Sequence, residues 1–220
     1  MPTDTFFALP AERRDLLVRE ALVEFSEHSF AEASLSKIAA RTRIAKGSFY
    51  QYFADKLDLY RWLMTDEAPR RKREFLAAAK LSGDFWDDFE TLIERGMAFL
   101  VEHPRYARLT ALAADPAASA EVRGLHRAIC DAGLEELRAK LAEGFARGAI
   151  RKLNLDVAAR LVSAIIGPGL TDVILSELGA ELHEVLASET LRRELGPARR
   201  RRLAKQAVLV LRSGLEPGAR

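Results

Sequence analysis

Apolar residues recur along the chain at intervals of three and four residues, which is the spacing of one face of an α-helix. Leu17, Ala21 and Phe25 follow this spacing in the first such stretch, from Arg13 to Phe25. The alternating β-branched runs that are typical of strands do not occur. The pattern therefore predicts an all-α fold of about ten helices.

Two short helices are predicted in the region from residue 34 to residue 53. Ser34 is suited to cap the first, because its hydroxyl can accept a hydrogen bond from a free amide of the first turn. A break at residues 41–45 precedes the second helix, Lys46–Phe53, and Asp55 is suited to cap the helix after it. Two short helices around a turn are typical of the helix-turn-helix motif, whose second helix enters the major groove of DNA.

Longer helices make up the rest of the predicted fold. Their expected bounds are residues 85–101, 106–114, 120–146, 155–178, 180–194 and 198–212. Proline lacks the amide hydrogen of a helical residue and clashes with the preceding turn, so Gly167-Pro168-Gly169 predicts a kink in the fourth of these helices.

Composition is typical of a soluble globular protein. Of the 220 residues, 49% are apolar and 30% are charged, which is ordinary for this class. The longest apolar run, Leu161–Leu170, contains a serine, glycines and a proline and falls short of the ~20 residues that span a bilayer. The segment Met1–Pro10 carries Asp4 and no basic residue, unlike a signal peptide. We therefore expect a cytoplasmic protein that does not bind membranes.

The net charge hides a local excess of positive residues. The chain has 34 basic and 32 acidic residues, a difference of +2. Residues 36–54 nevertheless include no acidic residue, and they contain the basic residues Lys37, Arg41, Arg43 and Lys46. A window of this kind is expected of a phosphate-binding face or of an ordinary solvated face, and charge alone does not separate the two.

The short motifs that would suggest an enzyme are incomplete. Lys46-Gly47-Ser48 has the order of a phosphate-binding loop reversed and follows no predicted strand. His183–Ala187 lacks the second histidine of a zinc-protease helix. Ser34–Lys37 matches the serine–lysine pattern of penicillin-binding proteins but has no partner motif. Since no catalytic constellation is apparent, the chain is not expected to be an enzyme.

His126 and Cys130 are potential metal ligands one helical turn apart. Two ligands do not make a metal site without a third, so we expect no metal and no cofactor. Cys130 is expected to be a core residue. As the one cysteine of the chain, it excludes an intrachain disulfide.

The second helix of the predicted motif combines polar and aromatic residues. Its groove-facing side is expected to carry four residues that can donate or accept hydrogen bonds, namely Lys46, Ser48, Gln51 and Tyr52. Phe49 and Phe53 would point to the core. The hydroxyls of Tyr50 and Tyr52, and the ammonium of Lys56, could reach phosphates.

The segment Ser34–Tyr60 resembles the N-terminal domain of the TetR/AcrR family of transcriptional regulators. The resemblance is carried by the sequence KGSFYQYF at residues 46–53, by Asp55-Lys56 and Leu59 after it, and by Ile38-Ala39 before it. It implies a helix-turn-helix DNA-binding domain over residues 1–58. The larger helical domain, over residues 59–220, would bind a ligand and dimerise.

The resemblance also implies a function. The chain would be a homodimeric repressor that a small, largely apolar ligand releases from a palindromic operator in double-stranded DNA. The residues implied to contact DNA are Ser36, Lys37, Arg43, Lys46, Gly47, Ser48, Tyr50, Gln51, Tyr52 and Lys56. Where this chain has Arg43 and Ala45, the family usually has glycine and a serine or threonine cap. Arg43 would cost about 1 kcal/mol of strain if it adopts the left-handed region, while adding a positive charge beside DNA.

Two further sets of apolar residues follow from the implied second domain. Candidate residues for an internal ligand pocket are Phe89, Phe99, Tyr106, Leu109, Ile129, Cys130, Ile165, Ile166 and Leu170. Candidate dimer-interface residues are Leu161, Ile165, Leu203, Ala207, Val208 and Leu211. Both sets could instead belong to an intrachain core, and the sequence leaves that alternative open.

A second function also stays open. The basic runs Arg70–Arg73 and Arg199–Arg202 would suit an architectural DNA-binding protein without a ligand switch and with little sequence preference. Both runs are also typical of solvated helix ends, which is the interpretation that we favour.

Overall fold

A computed structural model describes residues 1–216 of the chain, and Lys46 by its backbone alone. The described residues form α-helices and two π-helices without any strand, which confirms the predicted all-α class. The α-helices are α1 (Asp4–Phe7), α2 (Ala11–Glu27), α3 (Leu35–Thr42), α4 (Lys46–Phe49), α5 (Lys56–Trp62), α6 (Ala68–Ala77), α7 (Phe85–Glu102), α8 (Pro104–Ala114), α9 (Ala120–Ala146), α10 (Leu155–Ala164), α11 (Leu170–Leu178), α12 (Leu182–Ala187), α13 (Glu189–Glu194) and α14 (Pro197–Leu215). The π-helices are Leu63–Glu67 and Ile165–Gly169.

The second helix of the helix-turn-helix motif is shorter than predicted. α4 ends at Phe49 and not at Phe53. The amides of Gln51 and Tyr52 donate to the carbonyls of Ser48 and Phe49, three residues back, at 3.1 and 2.9 Å. Such tighter bonds are frequent where helices end, so the chain leaves α4 through turns.

Two helices near the C-terminus replace one predicted helix. In place of a single helix over residues 180–194, α12 ends at Ala187 and α13 begins at Glu189. Ser188 has extended backbone (φ −90°, ψ 119°), and its hydroxyl accepts a hydrogen bond from the Leu191 amide at 3.3 Å. Ser188 is therefore an N-cap, and it separates two helices although the apolar spacing runs through both.

Each π-helix lies at a proline. Pro168 is inside Ile165–Gly169, and Pro69 follows Leu63–Glu67. Because proline cannot donate an amide hydrogen bond, it disturbs the regular bonding of a helix. At Gly167-Pro168-Gly169, where the sequence predicts a kink, the regular α-helix gives way to the π-helix between α10 and α11.

The chain divides into two compact units. Unit 1 comprises residues 1–71 and 105–129, and unit 2 comprises residues 72–104 and the chain from Cys130 onward. The predicted functional boundary between residues 58 and 59 therefore falls inside unit 1. The assignment of DNA binding and ligand binding to the two sides of that boundary remains a prediction.

The core of unit 1 is rich in aromatic rings. Phe6, Phe25, Phe49, Phe53 and Tyr60 are each at most 1% exposed. Phe6 belongs to α1, a helix that the sequence did not predict, and its ring centroid lies 5.0 Å from that of Phe53. The short helix α4 therefore rests on a rigid aromatic cluster.

The core of unit 2 joins α7 and α14. Phe89 of α7 and Leu203 and Leu211 of α14 belong to one buried cluster. A largely buried ion pair joins the same two helices, with Arg200 Nε 2.7 Å from Glu94 Oε1. Apolar packing and an ion pair thus hold one side of α14, the side that carries Arg200, Leu203 and Leu211, against α7.

One described segment, Leu155–Leu178, is long and apolar enough to cross a membrane by length and composition. The most apolar 18-residue window within it has a mean hydropathy of 1.5, and 28% of that window is buried. The expectation that no segment approaches this length is wrong by this measure, because the Gly-Pro-Gly interruption lowers the mean hydropathy of the window too little. A helix with an apolar outer face gives the same signal as a membrane span.

Candidate nucleic-acid interface

The first helix of the motif, α3, presents polar residues outward. Ser34 caps it as predicted, and its hydroxyl accepts a hydrogen bond from the Lys37 amide at 3.4 Å. Ile38 is buried, whereas Ser36 and Lys37 are exposed. The Lys37 ammonium lies 3.4 Å from Nε2 of His28 at the surface. Both predicted DNA-contacting residues of α3 are therefore at the surface of unit 1.

A buried carboxylate holds α3 against α2. Glu24 is 1% exposed. Its Oε1 accepts a hydrogen bond from the Ser34 amide at 2.9 Å, and its Oε2 lies 2.6 Å from Nη2 of Arg41. Burial alone would raise the pKa of Glu24, but the hydrogen bonds from Ser34 and Arg41 hold the pKa below its ordinary value.

The Glu24 contact changes the charge balance of the basic window. Arg41 Nε also lies 3.2 Å from Glu20 Oε2, so two carboxylates share its positive charge. Sequence reasoning counted Arg41 among the charges of the basic window and missed Glu24. An acidic residue next to the apolar stripe of α2 was the available signal, because a buried charge needs a partner.

Arg43 forms the turn between α3 and α4. Its backbone is left-handed (φ 56°, ψ 31°), and no other described non-glycine residue has a positive φ. Its amide donates to the Ala40 carbonyl at 3.3 Å, and the Ile44 amide donates to the Ala39 carbonyl at 3.0 Å. These bonds close α3 in the usual αL manner. The strain foreseen for a residue other than glycine is therefore present, and the Arg43 side chain is exposed.

The helix α4 has an aromatic inner side and a polar outer side. Phe49 and Phe53 are 1% and 0% exposed, as predicted. Ala45 at the N-cap makes no side-chain hydrogen bond, and the Lys46 side chain lies outside the described residues. The predicted DNA contacts are exposed at Gly47, Tyr50 and Gln51 and half-buried at Ser48.

The protein's own packing does not require a glycine at Gly47. A Cβ atom at this position would have no heavy atom within 4 Å, and the φ angle is not positive. Glycine within a helix costs about 0.5–1 kcal/mol relative to alanine. The missing side chain therefore leaves space on the outer surface of α4, where a DNA backbone would approach.

Lys56 and Tyr52 are partly engaged within unit 1. Lys56 Nζ donates to the carbonyls of Ala31 and Ala33 at 3.1 and 3.0 Å, and it lies 4.7 Å from the ring centroid of Phe30. The Tyr52 ring packs half-buried against the unit 1 core. An ammonium has three donors, so Lys56 has one left beyond these two carbonyls. Within unit 1, Lys56 holds the loop before α3 through its two hydrogen bonds to the carbonyls of that loop.

Comparison with known proteins places the chain in a family. Residues 17–62 match the model of the family described as bacterial regulatory proteins, tetR family. The structure of a TetR family transcriptional regulator from Chloroflexus aurantiacus J-10-fl is 30% identical, over 99% of this chain and 100% of that chain, with a TM-score of 0.69. The chain belongs to the TetR family of transcriptional regulators. Membership confirms the predicted helix-turn-helix DNA-binding regulator.

Other solved structures share the TetR-family fold at lower identity. The fatty acid degradation regulator FadR from Bacillus halodurans is 20% identical over 94% of this chain and 97% of that chain, with a TM-score of 0.66. FadR from Bacillus subtilis, solved in complex with stearoyl-CoA, is 18% identical over 91% and 98%, with a TM-score of 0.65. These likenesses show the fold alone. No curated protein sequence matches the chain.

The residues predicted to line a ligand pocket of this TetR-family chain fall into two groups. Those in unit 2 are buried or half-buried except for the exposed Cys130, namely Phe89, Phe99, Ile165, Ile166 and Leu170. Those in unit 1 belong to or pack against its aromatic core, namely Tyr106, Leu109 and Ile129. The structure therefore does not bring the predicted set together within one unit.

A cavity of about 350 Å³ lies elsewhere, in unit 1. Phe6 of α1, Trp62 of α5 and Glu67 of the first π-helix are among its lining residues, and none of the predicted pocket residues is. The Glu67 carboxylate lies 2.6 Å from Arg70 Nη2 and 2.8 Å from Arg71 Nε. The polar groups of this cavity are thus largely paired with one another.

Four of the six predicted dimer-interface residues are buried within unit 2. They are 4–8% exposed, namely Leu203, Ala207, Val208 and Leu211. A side chain that packs into the core of its own chain has no surface left for a partner, so the prediction is wrong for these four residues. Of the other two, Leu161 is 62% exposed and Ile165 is half-buried.

Cys130 is exposed, so the expectation of a core cysteine, and with it a place in an enclosed pocket, is wrong. Partial burial of its sulfur and the neighbouring Asp131 raise the pKa of the thiol. Among the described residues, no three histidine, cysteine or acidic side chains are placed to hold a metal ion.

Proposed function

We propose that this TetR-family chain is a homodimeric repressor that binds a palindromic operator and leaves it when an apolar ligand binds. The observation that supports the DNA contacts is the outer surface of the turn and α4. Arg43, Gly47, Tyr50 and Gln51 are exposed there, over the buried rings of the unit 1 core. A polar surface on a rigid base is what sequence recognition in the major groove requires.

The exposed residues divide by their chemistry. Gln51 and Ser48 can donate and accept hydrogen bonds at base edges. Lys37 and Arg43 carry charge suited to phosphates, and the Tyr50 hydroxyl can bond a phosphate oxygen. Gly47 lets the backbones approach closely. Specificity is therefore expected mainly from Gln51 and Ser48, and sequence-independent affinity from Lys37 and Arg43.

Fluorescence anisotropy tests the DNA contacts. The probe is a duplex enriched by the wild-type protein from a random library, compared with its scrambled sequence at about 150 mM salt. We expect about 10³-fold preference for the enriched duplex. Gln51→Ala should lower that affinity about tenfold or more, whereas Gln206→Ala, a change at an exposed glutamine of α14 in unit 2, should leave it unchanged. Equal binding of both duplexes would contradict a specific regulator.

The proposed dimer uses the exposed apolar residues of α10 and the second π-helix. Val157, Leu161, Ala164 and Pro168 are spaced at i, i+4, i+7 and i+11 and are all exposed. This spacing makes one apolar stripe along a helix. A two-fold axis through such a stripe would pair it with its own copy. The two copies of α4 would then meet major grooves about 34–36 Å apart, on a palindromic site.

Leu161→Glu tests the dimer. We expect a monomer by sedimentation equilibrium and weaker operator binding, because burying the added carboxylates in a dimer would be costly. Leu81→Glu is the matched control, since Leu81 is 51% exposed in unit 2 and lies outside the stripe. A Leu161→Glu variant that remains a dimer would rule out this face.

The proposed ligand has a long apolar part. FadR from Bacillus subtilis binds stearoyl-CoA with this fold, and the unit 2 core contains the predicted pocket residues Phe89, Ile165, Ile166 and Leu170. A ligand releases DNA only if it binds one dimer geometry more tightly than the other. Stearoyl-CoA is therefore the first probe, and it should release the enriched duplex while coenzyme A alone should not. No release by it or by a series of apolar effectors would contradict the ligand switch.

The alternative, an architectural DNA-binding protein, has little support in the two basic runs. Arg202 and Arg199 lie 2.6 and 3.8 Å from Glu177, and Arg200 pairs with Glu94. In the other run, Arg70 and Arg71 pair with Glu67. These charges are compensated within their own units.

We propose no enzymatic activity and no cofactor for this chain. We expect a cytoplasmic protein, since its proposed target is the operator.

A further inference from the structure

We call α4 and the turns after it, residues 46–53, the recognition region. The segment Met1–Leu9 touches the end of this region, about fifty residues away in sequence. The Thr3 amide donates to the Tyr52 carbonyl at 3.0 Å. The Thr3 hydroxyl donates to the Gln51 carbonyl at 2.5 Å. One residue thus supplies donors to two consecutive carbonyls directly after α4. We call Met1–Leu9 the N-terminal brace.

The Thr3 hydroxyl is not used in the way its position predicts. Thr3 is the N-cap residue of α1, where a threonine side chain usually accepts a hydrogen bond from an amide of the first turn. It makes no such bond. The hydroxyl donates instead to the Gln51 carbonyl, which indicates a role in holding the recognition region in place.

The brace is fixed at its other end by Phe6. This ring is fully buried, and its centroid lies 5.0 Å from that of Phe53 and 5.0 Å from that of Trp62. Phe53 directly follows the residues that Thr3 bonds. Because aromatic pairs at this distance resist displacement, Thr3 is held against the recognition region from a rigid base.

The recognition region needs such support. α4 has four residues, and helices of this length are unstable by themselves. Tyr50 and Gln51, two proposed DNA contacts, lie beyond its end in turns held by bonds three residues back. Contacts from another segment must therefore set the position of these two side chains.

We propose that the N-terminal brace positions the recognition region for DNA, with Thr3 as the positioning residue. The inference rests on the proposed DNA contacts of Tyr50 and Gln51. Thr3 itself needs no contact with DNA: it holds the backbone at Gln51 and Tyr52 before DNA arrives, so binding costs less ordering of that backbone.

Thr3→Val tests the inference, since valine keeps the shape and the amide but lacks the hydroxyl donor. Affinity for the enriched duplex should fall about three- to tenfold, the range expected for one hydrogen bond. Thr3→Ser should restore it. Thr91→Val is the matched control: the Thr91 hydroxyl donates to the Asp87 carbonyl within α7 at 2.9 Å, and its loss should leave DNA affinity unchanged.

Amide hydrogen exchange of the free protein gives a readout that is independent of DNA. In Thr3→Val, the amides of Gln51, Tyr52 and Phe53 should exchange faster, by a factor similar to the affinity loss. Exchange at these amides that stays at the wild-type rate would overturn the inference, whatever the DNA result.

The Gln51→Ala variant separates the two possible failures. If Gln51→Ala loses affinity while Thr3→Val binds as the wild type does, the brace is overturned and the proposed DNA contacts stand. If Gln51→Ala also binds as the wild type does, the proposed contacts are wrong and the role of the brace falls with them. Equal affinity losses in Thr3→Val and Thr91→Val would overturn it as well, because the loss would then reflect general stability.

Discussion

The outer surface of α3 and α4 and the exposed stripe on α10 and the second π-helix (Val157, Leu161, Ala164 and Pro168) are built from opposite residue types. In unit 1, the exposed positions of the motif are polar, as at Lys37, Arg43 and Gln51, and the apolar side chains point into an aromatic core. In unit 2, α14 buries Leu203 and Leu211 yet also exposes Leu209 and Val210, each 61% exposed. The rest of its outer side is charged or polar, as at Arg202 and Lys205, so the apolar part of that side is small.

The difference follows from what each surface can bind. Groups that meet DNA exchange water for phosphates and base edges, so they must be polar and individually placed. Groups that meet a second copy of the chain gain by leaving water, so an apolar outer face suits them. An apolar stripe on the outer side of a helix thus suits the proposed dimer, whereas the recognition region has its apolar side chains on the inner side only.

The largest effect is expected from the inner face of α14. Leu203→Ala should lower the free energy of unfolding by about 3 kcal/mol, because a leucine that is 4% exposed leaves a cavity. The oligomeric state should stay unchanged, since the inner face meets no partner. Urea denaturation at fixed protein concentration measures the loss.

Leu81→Ala is the control for Leu203→Ala. Leu81 is 51% exposed, so its truncation should change the free energy of unfolding by less than about 0.5 kcal/mol. Comparable losses in the two variants would mean that α14 does not carry the core of unit 2.

A smaller effect is expected from the ion pair behind α3. Glu24→Gln should lower the free energy of unfolding by about 1–2 kcal/mol at neutral pH, because Arg41 loses its closest carboxylate while glutamine still accepts from the Ser34 amide. Glu189→Gln, at an exposed ion pair with Arg193, should have almost no effect. Thermal or urea unfolding of both variants makes the comparison.

The same pair predicts a pH dependence. The pKa of Glu24 in the folded protein lies below its ordinary value of 4.5. Its stabilisation is therefore fully present above about pH 4.5 and is lost as the pH falls through the lower folded pKa. The wild type should converge toward Glu24→Gln in stability as the pH drops below 4.5. A constant difference down to the lowest pH at which both fold would contradict the role of the charge.

The turn offers a pair of opposite substitutions. Arg43 and Gly179 end their helices with nearly the same left-handed backbone, φ 56° and 61°. Arg43→Gly should raise the free energy of unfolding by about 1 kcal/mol, and Gly179→Arg should lower it by about the same amount. In DNA binding, Arg43→Gly should also reduce the salt slope by about one, as loss of a phosphate contact does. Stability changes of the same sign in both variants would show that strain does not decide them.

The sequence predicted the motif better than it predicted the apolar faces. Ser34, Asp55, Phe49 and Phe53 have the expected roles, because capping and burial within a short motif depend on nearby residues. Leu203 and Val208 were assigned to a dimer and lie in the core, since periodicity indicates that a face is buried but not by which chain. Whether these residues face the core or a partner depends on where α7 packs, and that is a matter of tertiary structure.

Other misses have the same origin. The hydrogen bond between Thr3 and Gln51 joins segments far apart in sequence, and no local sequence pattern predicts it. α4 ends earlier than predicted because the amides of Gln51 and Tyr52 donate to carbonyls three residues back and not four. Residue types alone do not determine this bonding geometry. Features that depend on neighbouring residues, such as caps, were thus predictable, whereas contacts between segments far apart in sequence were not.

We propose that the surface of α4 is shaped for DNA and not for the protein's own packing, and Gly47→Ala separates these two requirements. Gly144→Ala is the opposite case, because a Cβ there would lie 2.6 Å from Cε2 of Phe85, and it should destabilise the protein by about 1–3 kcal/mol. Measured by urea unfolding and by anisotropy with the enriched duplex, Gly47→Ala should leave the protein as stable as before, or more stable by about 0.5 kcal/mol. It should at the same time bind the duplex about tenfold more weakly, a loss of about 1.4 kcal/mol. Unchanged affinity would contradict a DNA-shaped surface, because it would mean that no DNA backbone approaches the space above Gly47.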